Sequence, residues 1–326
     1  MGPPNLQRSL YRKTLRLIAG VVRAGTAQVA AARWAEFIPS CVALDRGDDL
    51  AVIARKCFER SESSPAALSN GFNFVKEAAG SVFSIEVRAL WERIIYSQGC
   101  DLVSGIGLMS ASFVIAGGDL VPTASVEARA REFSTFIEQL IHKITTNVTQ
   151  VLNLKSNFKH TRKTLERAHE IVVRVANIHR SDSDAENYTT FSLINESKCS
   201  EYILNIILFN VLRNMGFVCI LVDSNLHFRW IRVDLADKGS SSSAHAKVLF
   251  LSWSYGVKKR KEVEALSITT NTQWFRRVPW DDETRKSVLC ELLRRQLSCV
   301  YRNSTDFATE KARGSICKEQ IMILVM

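Results

Sequence analysis

The stretch from Glu201 to Asn214, EYILNIILFNVLRN, puts large apolar side chains on almost every face of a helix. A surface helix shows a polar stripe, so this one is predicted to be the buried centre around which the rest of the chain is arranged. Gly216 stands where such a helix needs a left-handed cap. The pattern then changes to a short run suited to a strand, Phe217 to Val222, followed by the turn tripeptide Asp223-Ser-Asn225. Leu226 to Val233 (LHFRWIRV) reads as a second strand, and Lys247 to Tyr255 (KVLFLSWSY) as a third. The expected class is α+β: a helix-rich body with a small antiparallel sheet.

Helix followed by consecutive strands is the order of the transglutaminase-like, papain-related core. The run NIILFNVLRNMGFVCILVDSNLHFRW resembles the bacterial invasion-regulator branch of that superfamily, a domain that also occurs in eukaryotes behind an F-box. The matching positions are Arg213 and Gly216 at the helix end and His227-Phe228 opening the second strand. Asn195-Glu-Ser197 lies upstream like a similar stretch of the family. Downstream, WDDETRKSVLCELLRRQLSCVYRNSTDFATEKA is similar to its closing pair of helices. The resemblance runs from about Asp101 to the end of the sequence, and it implies a transglutaminase-like domain over residues 100–326.

Active members of the superfamily carry a cysteine at the start of the core helix, a histidine and an acidic residue. A helix N-terminus and a neighbouring imidazole favour a thiolate, and a carboxylate orients that imidazole. The resemblance brings Cys199, His227 and Ser252 to mind as vestiges of that set. Counting back from Gly216 without a gap puts the nucleophile position on Glu201, two residues beyond Cys199. Ser252 falls at the acid position, and a hydroxyl cannot stabilise an imidazolium as a carboxylate does. The invasion-regulator branch generally lacks the catalytic cysteine, so the expectation is a pseudoenzyme with no catalytic residue and His227 as a structural histidine. Two alternatives stand beside it: a cysteine hydrolase or transferase using Cys199 and His227, and a substrate adaptor for regulated proteolysis.

The beginning of the chain has a different character. No acidic residue precedes Glu36, while Arg8, Arg12, Lys13, Arg16, Arg23 and Arg33 are spread among Leu, Ala and Val. A basic amphipathic helix is drawn to anionic membranes and import receptors, so this is the composition of a mitochondrial targeting segment. A plastid or a cytoplasmic location is the alternative. Within it, Ser9-Leu-Tyr-Arg-Lys-Thr-Leu-Arg-Leu17 resembles the leucine-tyrosine-arginine motif of small mitochondrial helical adaptors. Leu10, Tyr11 and Arg12 supply the motif, and Phe37 lies where that family often has a phenylalanine. The resemblance implies a helical module that binds acyl carrier protein, with the partner's acylated phosphopantetheine entering the bundle and no cofactor bound directly by this chain. Arg12, Lys13 and Arg16 fall within about one helical turn and can face one acidic partner. In the bland reading, Leu10, Leu15 and Leu17 pack against the protein while the arginines stay solvated.

Residues 1–60 are therefore read as a basic helical module and 61–99 as a helical linker. Asp49 to Arg60 is a second amphipathic helix ended by the Ser-rich SESSPAALSNG loop, and Phe72 to Tyr96 a helix interrupted near Gly80. Leu102 to Gly118 is nearly uncharged but diluted by Gly and Ser, and it is short of the ~20 residues of a bilayer span. A buried helix or helix pair is expected, with no integral membrane segment. Ser125 to Val151 follows as a helix with Phe133, Phe136, Ile137, Leu140, Ile141 and Ile144 on one face. Asn157 to Ile178 reads as a charged helix. His160, His169 and His179 do not share one side of it, so they are taken as surface histidines rather than ligands.

Arg180 to Asn187 (RSDSDAEN) reads as an acidic, flexible loop, and Lys238 to Ala246 (KGSSSSAHA) as a second. Lys258-Lys-Arg-Lys261 is the strongest charge run, by default a solvated turn. The closing run Ile321 to Met326 (IMILVM) is expected to be a buried strand or an interface edge. Eight cysteines are scattered without zinc spacing, and the four glycosylation sequons, at Asn147, Asn187, Asn195 and Asn303, are read as chance. The net charge of +10 over 326 residues suits an anionic partner, RNA among them. The functional expectation is a non-catalytic organellar adaptor or structural subunit that binds acyl carrier protein or a multi-subunit mitochondrial complex.

Overall fold

The computed structural model describes residue 83 and residues 86–96, 99–117, 126–152, 161–222, 230–235, 247–266, 281–303 and 307–325. Helix α1 covers residues 86–96. Then come α2 (Leu102–Gly117), α3 (Val126–Val151) and α4 (Arg162–Ala176). A short strand β1 (His179–Arg180), a 3-10 turn (Ala185–Tyr188), α5 (Thr190–Glu196) and β2 (Lys198–Cys199) lead to the central helix α6 (Glu201–Asn214). The main sheet is β3 (Val218–Val222), β4 (Trp230–Leu235), β5 (Lys247–Ser252) and β6 (Gly256–Lys258). Three helices close the chain: α7 (Arg260–Leu266), α8 (Asp282–Asn303) and α9 (Phe307–Val325). This is a helix-rich α+β fold with a small antiparallel sheet.

Every residue of α6 from Glu201 to Leu212 except Asn210 is buried. Its cap is the one the sequence predicts. Gly216 has φ 86°, in the left-handed region, and Phe217 N–H closes back on Leu212 O at 3.0 Å. The chain then enters β3, and the sheet runs β3-β4-β5-β6 with each neighbouring pair antiparallel. Ile231, Val233 and Leu235 of β4 and Leu249 and Leu251 of β5 share one buried face, and Trp230 and Phe250 are buried on the other. Outside this sheet, β1 and β2 form a separate parallel pair, His179 opposite Lys198 and Arg180 opposite Cys199.

The Gly- and Ser-bearing segment is a single buried helix, α2, packed against α3, α8 and α9. Its small residues allow close approach. A Cβ at Gly107 would stand 2.6 Å from the backbone oxygen of Ala130 on α3. Ser110 and Ser112 return their hydroxyls to Ile106 O and Leu108 O, so the helix carries no orphaned polar group for them. Among the described residues no helix is long and apolar enough to cross a membrane. The expected face of α3 is present: Phe133, Ile137, Ile141 and Ile144 are buried, and Phe136 and Leu140 pack at its margin.

Four sequence expectations need correction. The third strand stops at Ser252; Trp253 to Tyr255 turn the chain, and β6 adds a fourth strand that pairs back on β5. The charged helix runs Arg162–Ala176, capped by Thr161, whose hydroxyl accepts from Thr164 N, and it ends at Asn177 with φ 50°, short of Ile178; residues 157–160 lie outside the described residues. The run Ile321 to Val325 is the last turn of α9, with Ile323 and Leu324 buried and Met322 and Val325 turned to solvent at 64% and 66% exposure. A short apolar run carries no period of its own, and only the partner helices decide its form.

The fourth correction is the segment Arg180 to Asn187, which is anchored rather than loose. His179 N–H bonds Ser197 O and Ser181 N–H bonds Cys199 O, both at 2.9 Å. Asn187 is buried; its amide donates to Ser181 Oγ at 2.8 Å and accepts from Ser192 Oγ at 2.9 Å. Acidic composition described its solvent-facing side chains but not the backbone partners that hold it.

Candidate functional site

A cluster of charged and polar side chains gathers at the N-terminus of α6. Ser200 caps the helix, its hydroxyl accepting from Ile203 N at 3.4 Å, and Asp182 Oδ1 accepts from Glu201 N at 2.9 Å. Two of the donors that a helix start leaves unpaired are thereby satisfied. The Glu201 side chain has no exposed surface. Its Oε1 accepts from Ser254 N at 3.1 Å, and its Oε2 accepts from Ser254 Oγ at 2.8 Å and from Arg180 Nη1 at 2.6 Å. Arg180 also reaches Asp182 Oδ2 through Nε at 2.7 Å and Ser254 Oγ at 3.2 Å. One guanidinium thus bridges two carboxylates beside the positive end of a helix.

The two partners feel this arrangement differently. Burial pushes the Glu201 carboxyl above the ordinary glutamate range, and the Ser254 hydrogen bonds and the Arg180 charge offset only part of that. Burial also works against the Arg180 charge, but the Asp182 hydrogen bond and the charge of Glu201 outweigh it, and its pKa is raised. Arg180 serves two anions and keeps 37% of its side chain in solvent, whereas Glu201 keeps none. The cluster has the chemistry of a polar fastener: donors and acceptors are matched, and its innermost oxygens are closed to a substrate.

What it fastens is the turn after β5. Trp253 N–H is held by Asn205 Oδ1 at 2.7 Å, Trp253 O by His169 Nε2 at 3.0 Å, and Tyr255 N–H by Ser252 Oγ at 3.0 Å. With Ser254 bound to Glu201, side chains from α4, α6 and β5 hold three successive residues. His169 is therefore a packed contact between α4 and this turn, not the surface histidine expected; burial lowers its pKa, against the hydrogen bonds to Trp253 and Ser252. His179 is exposed.

The sequence-chosen residues divide three ways. Glu201 is in the cluster, and Ser252, fully buried, supports the same turn. Cys199 lies in β2, fully buried, and burial pushes its thiol far up, so the thiolate is disfavoured. His227, together with Leu10, Tyr11, Arg12, Lys13, Arg16 and Phe37, lies outside the described residues.

Sequence reasoning missed Arg180, Asp182 and Ser254. The one signal in the sequence is Asn205, an amide among large apolar side chains that demands a partner and finds it in Trp253 N–H, next to Ser254. Among the described residues no group of three or more His, Cys, Asp or Glu side chains could hold a metal ion, and all six of the described cysteines are buried and outside any disulfide. Comparison of the chain with protein-family models, curated proteins and solved structures returned no match.

Proposed function

We propose that this protein is a non-catalytic organellar adaptor or structural subunit. In this reading a degenerate transglutaminase-like domain docks on a larger complex, such as a mitochondrial ribosome or respiratory assembly, and the N-terminal leucine-tyrosine-arginine module recruits acyl carrier protein or another assembly partner. The observation that carries the proposal is Glu201. The resemblance puts it at the nucleophile position, and here its carboxylate is enclosed and committed to Ser254 and Arg180. A position that serves chemistry in active relatives serves here to lock a turn. Support also comes from Cys199, whose thiol is enclosed in β2 and disfavoured as a thiolate.

The test is intact mass spectrometry of the proteins that copurify with the tagged chain from mitochondria, wild type against Tyr11→Ala/Arg12→Glu. A small acidic protein carrying an acylated phosphopantetheine, lost in the variant, is the expected result. Its absence from both samples rejects the N-terminal part. A thiol probe tests the large domain: Cys199 is expected to stay unlabelled until the protein unfolds. Labelling of Cys199 in the folded protein that disappears in His227→Ala would establish the cysteine hydrolase instead.

A further inference from the structure

A second charged region lies where β6 passes into α7. It consists of Lys258, Lys259, Arg260 and Lys261, and α4 runs beside it. His169 fixes the register of that approach: its ring lies 3.7 Å from where a Cβ at Gly256 would stand. Arg162 is two turns earlier on α4 and therefore on nearly the same face, alongside the end of β6. Lys163, next to it, is exposed. Arg162 is near enough for its charge to act on Glu262 of α7, so the first turn of α4 adds a cation beside the basic β6–α7 junction.

Its ion pairs leave a surplus. Arg162 is paired with Glu166 at 2.7 Å and Arg260 with Glu264 at 2.9 Å, and Glu262 accepts from the backbone N–H of Lys259. Among the described residues, no carboxylate lies within ion-pair distance of Lys163, Lys258, Lys259 or Lys261. The carboxylate of Glu262 is held below the usual range first by the Lys259 backbone N–H and further by Lys258, Arg162 and Lys259, as expected in a positive local field. Lys259 and Lys261 are exposed and Lys258 is half-buried.

We infer that this surface, formed by Lys258, Lys259 and Lys261, binds the phosphodiester backbone of a nucleic acid without reading its sequence. The argument is charge complementarity to a linear polyanion. The four residues 258–261 span at most about 14 Å when extended, a length over which a nucleic-acid strand presents several phosphates. A membrane fits less well, because surface-binding elements combine basic and insertable apolar side chains. Here Val263 is buried and Val257 is packed against the core, so neither is available to insert. The inference stands on a different surface from the N-terminal module and does not depend on the acyl carrier protein reading.

The experiment is fluorescence anisotropy of a short labelled single-stranded RNA titrated with the full chain at several salt concentrations. The variants are Lys258→Glu/Lys259→Glu/Lys261→Glu and, as an equal charge change elsewhere, Lys143→Glu/Lys311→Glu/Lys318→Glu. Removing three phosphate contacts should lower the slope of log K against log salt by about 2 and weaken binding at about 0.1 M salt by about a hundredfold. The control variant should keep most of the wild-type slope. Equal loss in both variants would mean a diffuse effect of net charge and overturn the inference. So would an unchanged slope in the first variant, no RNA binding by the wild type at low salt, or binding to anionic phospholipid vesicles but not to RNA. Far-UV circular dichroism establishes that both variants are folded.

Discussion

The start of α6 and the β6–α7 junction are both rich in charge, and they use it in opposite ways. At the first, Glu201, Arg180 and Asp182 are drawn together within ion-pair distance, and the innermost side chain has no contact with solvent. At the second, Lys258, Lys259 and Lys261 form no ion pair with a described carboxylate, and the nearby Glu262 accepts from a backbone N–H instead. An enclosed charge must be matched by its own protein, because an uncompensated one is too costly to keep. An exposed charge carries no such penalty, since water already solvates it, and it stays available to a partner. Burial, rather than the number of charges, separates the part that holds the fold from the part that can bind.

The comparison breaks most visibly at Arg180. Arg180→Ala leaves Glu201 enclosed without its cation and should cost about 3 kcal/mol in urea unfolding, the low end for a broken buried pair because the guanidinium is partly solvated. The pH dependence sharpens this. Glu201 has a folded-state pKa above its ordinary value of 4.5. Its contribution to stability is therefore fully present below that value and is lost as pH rises through the higher folded-state value. Removing Arg180 raises the folded value further, so the deficit of the variant should be larger near neutral pH than near about pH 4. A deficit that is flat in pH would mean that Glu201 does not feel the arginine.

Asn205→Ala comes next. It strips the acceptor from a buried Trp253 N–H and should cost about 2 kcal/mol by the same measurement. Hydrogen exchange in this variant should be accelerated over the wild type at the Trp253 to Tyr255 turn and little changed in the sheet. Ser200→Ala removes the cap of α6, with an expected loss of about 1 kcal/mol. The smallest effect belongs to the other region: Lys258→Gln, Lys259→Gln and Lys261→Gln should each change stability by less than about 0.5 kcal/mol. A larger loss at any of them would show that lysine to be part of the fold and erase the contrast.

Much of this molecule is legible in the order of its residues. The bounds of α6 follow from a stretch with apolar residues on almost every face that ends ahead of Gly216, and the buried face of α3 follows from its periodicity. The closing pair of helices was expected from the resemblance, and both are helical here. The site was legible only in part. Glu201 and Ser252 could be singled out, but Arg180 and Asp182 lay in a segment whose composition suggested a free acidic loop, and Ser254 in what read as a continuing strand. Those roles depend on contacts between residues far apart in the chain: 19 positions separate Asp182 from Glu201, and 53 separate Glu201 from Ser254.

By itself the sequence determined the central helix, the apolar face of α3 and the excess of positive charge, because these depend on neighbouring residues and on a helix period. The tertiary structure decided which charges became fasteners and which stayed open, where the third strand turned, and that Ile321 to Val325 finished a helix. Those outcomes are set by what comes to lie opposite each side chain once the core closes. The cost of leaving a polar group unmatched exists only where water has been excluded.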